Sequence, residues 1–108
     1  MDLHYDRPGH ALGTVNGVMI EGFCLPVPPS NLIFMTAPGV FLGCGFFDMR
    51  TFDKLRIAAV RITGVSTLEE LLAGKIVELT ESAETLGVRV GMTGCDALLR
   101  ISSLNPHL

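Results

Sequence analysis

The order of apolar and polar positions puts strands in the first half of the chain and helices in the second. After the turn signal Asn16-Gly17, the residues Val18, Ile20, Gly22 and Cys24 alternate with Met19, Glu21 and Phe23. That period of two predicts a strand with one well-buried face. The prolines from Pro26 to Pro29 end it. Residues 32–37 and 40–44 are two apolar runs divided by Pro38-Gly39, a spacing that predicts a β-hairpin. Both runs are apolar on both faces, which places them in the middle of a sheet or at a subunit contact. Gly43-Cys44-Gly45 then breaks the strand.

From Phe47 the period lengthens. Phe47, Met49, Phe52 and Leu55 fit one face of a short helix, with Asp48, Arg50, Asp53 and Lys54 on its wet side. Ala58, Val60 and Ile62 predict a further strand that stops at Gly64. Ser66-Thr67-Leu68-Glu69 reads as a capping box, with Glu69 reaching back to the cap, ahead of a helix that turns Leu68, Leu71 and Leu72 inward and ends at Gly74. Thr80 caps a second short helix carrying Ala83 and Leu86, closed by Gly87. Residues 88–90 read as a brief strand. Thr93-Gly94-Cys95-Asp96 opens the last helix, whose Ala97, Leu98, Ile101 and Leu104 share a face and whose Asp96 and Arg100 are spaced for an ion pair. Residues 1–15 are polar, include His4, His10 and Pro8-Gly9, and read as a leader that is loosely held or docks on a neighbour. Residues 16–108 then form a single α/β domain of the α+β type: a mixed, mostly antiparallel sheet with short helices packed on it.

Composition changes this picture in one respect. Of 108 residues, 48% are hydrophobic and only 18% charged, which excludes disorder. A domain this short leaves much of its surface uncovered, and with so few charges that surface is apolar enough to predict a homo-oligomer. The net charge of −3 argues against non-specific nucleic-acid binding, which needs a basic stripe. Residues 22–47 carry no charge and are long enough to cross a bilayer, but Pro26, Pro28, Pro29, Pro38 and Gly39 preclude one continuous helix. The N-terminus, with Asp2, Asp6 and Arg7, does not read as a signal peptide. Three cysteines (Cys24, Cys44 and Cys95), widely spaced and without a CxxC, predict a reducing, cytoplasmic setting.

Several stretches form a recognisable series. They are Ile20-Glu21-Gly22, then Gly39 through Cys44-Gly45 and Asp48, then Gly64-Val65-Ser66-Thr67-Leu68-Glu69-Glu70-Leu71-Leu72, Leu86-Gly87-Val88, and Gly91-Met92-Thr93-Gly94-Cys95-Asp96-Ala97-Leu98. Their order and spacing resemble the YunC-like family of small bacterial and archaeal proteins, a domain of unknown function. The resemblance spans residues 16–101 and implies the single-domain α/β fold. It implies no catalytic residue, cofactor or substrate, and it does not reach His4 or His10.

Candidate chemistry therefore rests on the residues themselves. Cys44 sits between two glycines at a strand-to-helix turn, where helix amides lower a thiol pKa and cradle an oxyanion; Asp48 and an arginine would position a substrate there. The competing reading is a small apolar residue where the strand leaves the sheet. Gly43-Cys44-Gly45-Phe46-Phe47-Asp48 approaches a dinucleotide fingerprint, but Asp48 puts a negative charge where pyrophosphate would sit. A second group is Arg89 with Gly91-Met92-Thr93-Gly94, joined by Arg61. Two glycines allow close backbone approach, and the amides of the last helix face an anion. The competing reading there is an ordinary loop and N-cap with Asp96 serving the helix dipole. The Cys and His positions show no metal-ligand spacing, and the sequence specifies no cofactor. Glu69, Glu70, Glu78, Glu81 and Glu84 read as a solvated acidic face. Three readings follow: a homo-oligomeric binder of a small anionic molecule at the glycine-rich helix N-terminus, a thiol-dependent enzyme using Cys44, and an interaction module without a ligand.

Overall fold

Glycine turns shape the first half of the chain. Asn16 and Gly17 both take positive φ, 49° and 82°, the geometry a two-residue hairpin requires. They join β2 (His10–Val15) to β3 (Val18–Val27). Gly39, with φ 78°, does the same between β4 (Ser30–Ala37) and β5 (Val40–Gly43). The computed structural model describes residues 2–104; His107 lies outside them. Consecutive strands from β1 (Asp2–Arg7) to β5 pair antiparallel with one another. The chain then crosses through α1 (Met49–Lys54) to β6 (Ala59–Arg61), which lies parallel to β5, and β7 (Glu78–Leu79) closes the series antiparallel to β6. The result is one seven-stranded sheet in sequence order. The hairpin expected at residues 32–44 occupies its interior, with β4 between β3 and β5.

Three helices, α2 (Leu68–Ala73), α3 (Glu81–Thr85) and α4 (Gly94–Leu104), pack on one face. From the sheet, Ile33, Met35, Leu42, Val60 and Ile62 meet Leu68, Leu71, Leu98 and Ile101 of the helices, all of them fully buried. Each such side chain contributes about 1.5–3 kcal/mol of transfer free energy, so this layer dominates the stability. Gly94 sets how closely α4 approaches α2: a Cβ there would come within 2.4 Å of the Leu71 carbonyl oxygen.

The opposite face carries a file of rings. Centroids are 4.9 Å apart for His10 and Phe23, 4.7 Å for Phe23 and Phe34, 5.6 Å for Phe34 and Phe41, and 4.6 Å for Phe41 and Phe52. Phe47 stands edge-on to Phe34 and Phe41. Phe47, just before α1, and Phe52, within it, cover the β5 end of this file. Towards β2 and β3 the face is open, with Leu12 46% and Met19 74% exposed.

Four local expectations differ from the fold. Residues 2–15, read as a loose leader, are built into the sheet as β1 and β2. As an edge strand β1 has little to bury, and among its residues only Leu3 is half-buried, so no apolar alternation marks it. The capping box sits one residue later: Thr67 Oγ1 accepts from the Glu70 amide at 3.0 Å, and Glu70 Oε1 accepts from the Ser66 amide at 2.7 Å. Glu69 is left to meet the Tyr5 hydroxyl. Residues 88–90 form no strand, because Gly87 and Gly91, both at φ 95°, turn the chain on either side. Asp96 and Arg100 do not pair, since Asp96 caps Thr93 and the Arg100 Nε donates to the Leu86 carbonyl.

Candidate functional site

The ladder between β4 and β5 ends at Cys44. Its amide donates to the Ile33 carbonyl at 3.0 Å, while its own carbonyl turns away to accept from the Phe47 amide at 3.2 Å. The Ile33 amide donates to the Cys44 Sγ at 3.3 Å. Cys44 is 3% exposed. Beyond the turn, Asp48 caps α1: its Oδ1 accepts from the Arg50 amide at 2.9 Å, and its Oδ2 from the Arg50 guanidinium at 3.0 Å. The Arg50 side-chain hydrogen bonds, then its backbone amide, hold the Asp48 carboxyl below the usual carboxylate range. Arg61 reaches over from β6, donating Nη2 to the Gly45 carbonyl at 3.1 Å and facing Glu78 at 3.4 Å.

These groups surround two adjoining clefts. One, of about 420 Å³, is lined by Cys44, Gly45, Phe46, Ser30, Asn31 and Ser66, with Gly64 and Val65 completing its wall. The other, of about 380 Å³, holds Asp48, Arg50, Arg61 and Glu78 and shares Gly45 and Phe46 with the first. The fold thus gathers Cys44, Asp48 and Arg61 around a single turn. Asn31 and Ser66 were not expected. Asn31 Nδ2 donates to the Ser66 carbonyl at 3.3 Å, bridging β4 to the loop before α2. They are 35 residues apart; Ser66 stood out only as a helix cap and Asn31 in no motif, so only the sheet order could have paired them.

The second predicted group is divided: Arg61 lines the cleft beside Asp48, while Arg89 and residues 91–94 line neither cleft. Arg89 Nη1 donates to the carbonyls of Glu84 and Val88, both at 2.8 Å. Gly91 donates to the Ile76 carbonyl, and the Met92 carbonyl accepts from the Ile76 amide. Thr93 and Asp96 cap each other: the Thr93 amide donates to Asp96 Oδ2 and the Asp96 amide to Thr93 Oγ1. The Gly94 amide donates to the Gly74 carbonyl. Three amides at the start of α4 are therefore engaged within the chain. Among the described residues, no group of three or more His, Cys, Asp or Glu could hold a metal ion, and no helix is long and apolar enough to cross a membrane.

The family model of a domain of unknown function, DUF1805, matches residues 43–101, a span that begins at the Cys44 turn and ends inside α4. The chain belongs to this family. The uncharacterized protein YunC of Bacillus subtilis (strain 168) is 33% identical over 93 residues, covering 78% of this chain and 92% of that protein. In fold, the chain is similar to the crystal structure of a protein of unknown function, TA1206, from Thermoplasma acidophilum. That likeness has a TM-score of 0.82 at 24% identity, over 91% of this chain and 99% of that one. The cleft of Asp48, Arg50, Arg61 and Glu78 lies wholly inside the span the family model covers, and the cleft over Cys44 lies inside it except for Ser30 and Asn31.

Proposed function

We propose that this domain binds a small polar molecule in the cleft over Cys44, with an anionic group turned towards Arg61 and Arg50. The observation that carries the reading is the joining of the two clefts at Gly45 and Phe46. One has uncharged polar walls from Ser30, Asn31 and Ser66, and the other supplies the guanidinium groups of Arg50 and Arg61 beside the Asp48 and Glu78 carboxylates they face. A concave site with a few convergent polar groups is the usual form of a small-ligand pocket. The glycine-rich start of α4 is less suited to an anion, because the amides that would face one, those of Thr93, Gly94 and Asp96, are engaged within the chain.

The binding reading is preferred to the thiol enzyme. A nucleophilic thiol needs a base within reach, whereas among the described residues His10 stands in the ring file and His4 pairs with Leu12 on that same face, opposite the core that holds Cys44. The Cys44 sulfur also already serves the Ile33 amide. The domain is further proposed to act as a homo-oligomer in a reducing, cytoplasmic setting. The exposed Leu12 and Met19 on the open sheet face support the first, and three free cysteines the second.

Native mass spectrometry of the purified chain tests binding and assembly together. The expected result is a bound small molecule whose retention drops in Arg61→Gln while the fold, followed by circular dichroism, is kept. A chain without any adduct, or an adduct indifferent to Arg61→Gln, would overturn the site.

A further inference from the structure

His10 stands at the head of the ring file, its side chain 7% exposed, with a carboxylate against each nitrogen. Nδ1 is 2.5 Å from Asp6 Oδ1 on β1, and Nε2 is 2.7 Å from Glu21 Oε2 on β3. An ionised carboxylate only accepts, and a neutral imidazole has a single N–H to give. Satisfying both partners therefore takes the imidazolium. We propose that His10 is a pH-sensitive latch: protonated, it ties the edge strand β1 across β2 to β3, and on losing its Nδ1 proton it keeps Glu21, drops the Asp6 arm and loosens β1.

Among the described residues, little else fastens β1. Besides its ladder to β2, it has the half-buried Leu3 and a 3.5 Å contact from the Tyr5 hydroxyl to Glu69, and its register shifts between Tyr5 and Arg7, beside the Asp6 arm. Loosening β1 bares the outer edge of β2, a row of backbone groups open to pairing, next to the exposed Leu12.

The charges around His10 come from both neighbouring strands. Asp6 and Glu21 favour the imidazolium, and Arg7, 3.3 Å from the other Asp6 oxygen, opposes it. The adjoining strand β4 presents the neutral Thr36 opposite Glu21. The hydrogen bond to Glu21, then that to Asp6, raises the His10 pKa above 6.5 against the cost of burial. A raised folded-state value means the latch is fully formed below the unfolded value and is lost as pH rises through the folded one. At the acid end the Asp6 arm is lost as pH falls through that carboxyl's value, which the His10 hydrogen bond holds below 3.8. The latch is closed between these limits.

The test follows the His10 ring by NMR in the full chain, while hydrogen exchange reports β1 protection from about pH 5 to about pH 9. After correction for the intrinsic pH dependence of exchange, β1 protection should fall several-fold through the His10 midpoint, which itself lies above 6.5. Glu21→Gln should lower that midpoint and carry the exchange transition down with it. Asp6→Asn, at an exposed position, should do the same and serves if the first variant folds poorly. A His10 that titrates at or below 6.5, or β1 protection that ignores the midpoint in wild type and variants, overturns the latch.

Discussion

The Ile33 amide donates to the Cys44 sulfur at 3.3 Å, where a regular ladder would offer it the Cys44 carbonyl. That carbonyl is occupied in the turn to Phe47, so the side chain stands in for a backbone acceptor. The same turn leads the backbone through Gly45 and Phe46, which line both clefts, towards Asp48 and α1.

Removing this acceptor should cost more than packing alone. In Cys44→Ala the buried Ile33 amide loses its partner, a loss of about 1–3 kcal/mol. Cys44→Ser keeps an acceptor and should lose clearly less. Urea unfolding of both variants checks this, and equal losses would reduce Cys44 to a filler of space.

Thiol labelling should separate the three cysteines. Cys44, at 3% exposure, should alkylate more slowly in the native protein than the half-buried Cys24 and Cys95. Burial, then the neighbouring Cys44 and Glu69, pushes the Cys24 thiol above its ordinary value of 9.0. Its rate should therefore keep climbing with pH beyond that value, because only the thiolate reacts. Peptide mass spectrometry of timed samples reads all three; fast, selective modification of Cys44 would restore the thiol-enzyme reading.

The two glycines of the α4 entrance should differ sharply. Gly91 has φ 95° with open space around its missing Cβ, so Gly91→Ala should cost on the order of 1 kcal/mol of backbone strain. At Gly94 a Cβ would meet the Leu71 carbonyl at 2.4 Å and Ile62 at 2.9 Å. Gly94→Ala should therefore cost more than about 2 kcal/mol, because two helices must move apart. Thermal unfolding ranks the two, and the reverse order would contradict the close approach of α2 and α4.

Assembly should depend on the open sheet face. Sedimentation at micromolar concentration should show an oligomer, and Met19→Glu with Leu12→Glu should shift it towards monomer by placing charges on exposed apolar positions. A wild-type monomer, or an oligomer untouched by the pair, would move the contact elsewhere.

Much of the fold was legible in the chain because its signals are local. Asn16-Gly17 and Pro38-Gly39 set turns, the two-faced apolar runs placed β4 and β5 inside the sheet, and Leu68, Leu71, Ala97, Leu98 and Ile101 showed which helix faces are buried. Edge strand β1 left no such trace, because a strand with one neighbour and little to bury needs no apolar alternation. The site divides the same way. Cys44 and Asp48 stood out beside their glycine turn, but their joining with Arg61, and the wall of Asn31 and Ser66, came from strand order alone. His10 is the clearest case: in sequence it is a lone polar residue, and only the register of three strands sets Asp6 and Glu21 against its two nitrogens. Local patterns record what each segment buries; which polar groups meet across segments is decided by pairing, and pairing is a property of the folded sheet.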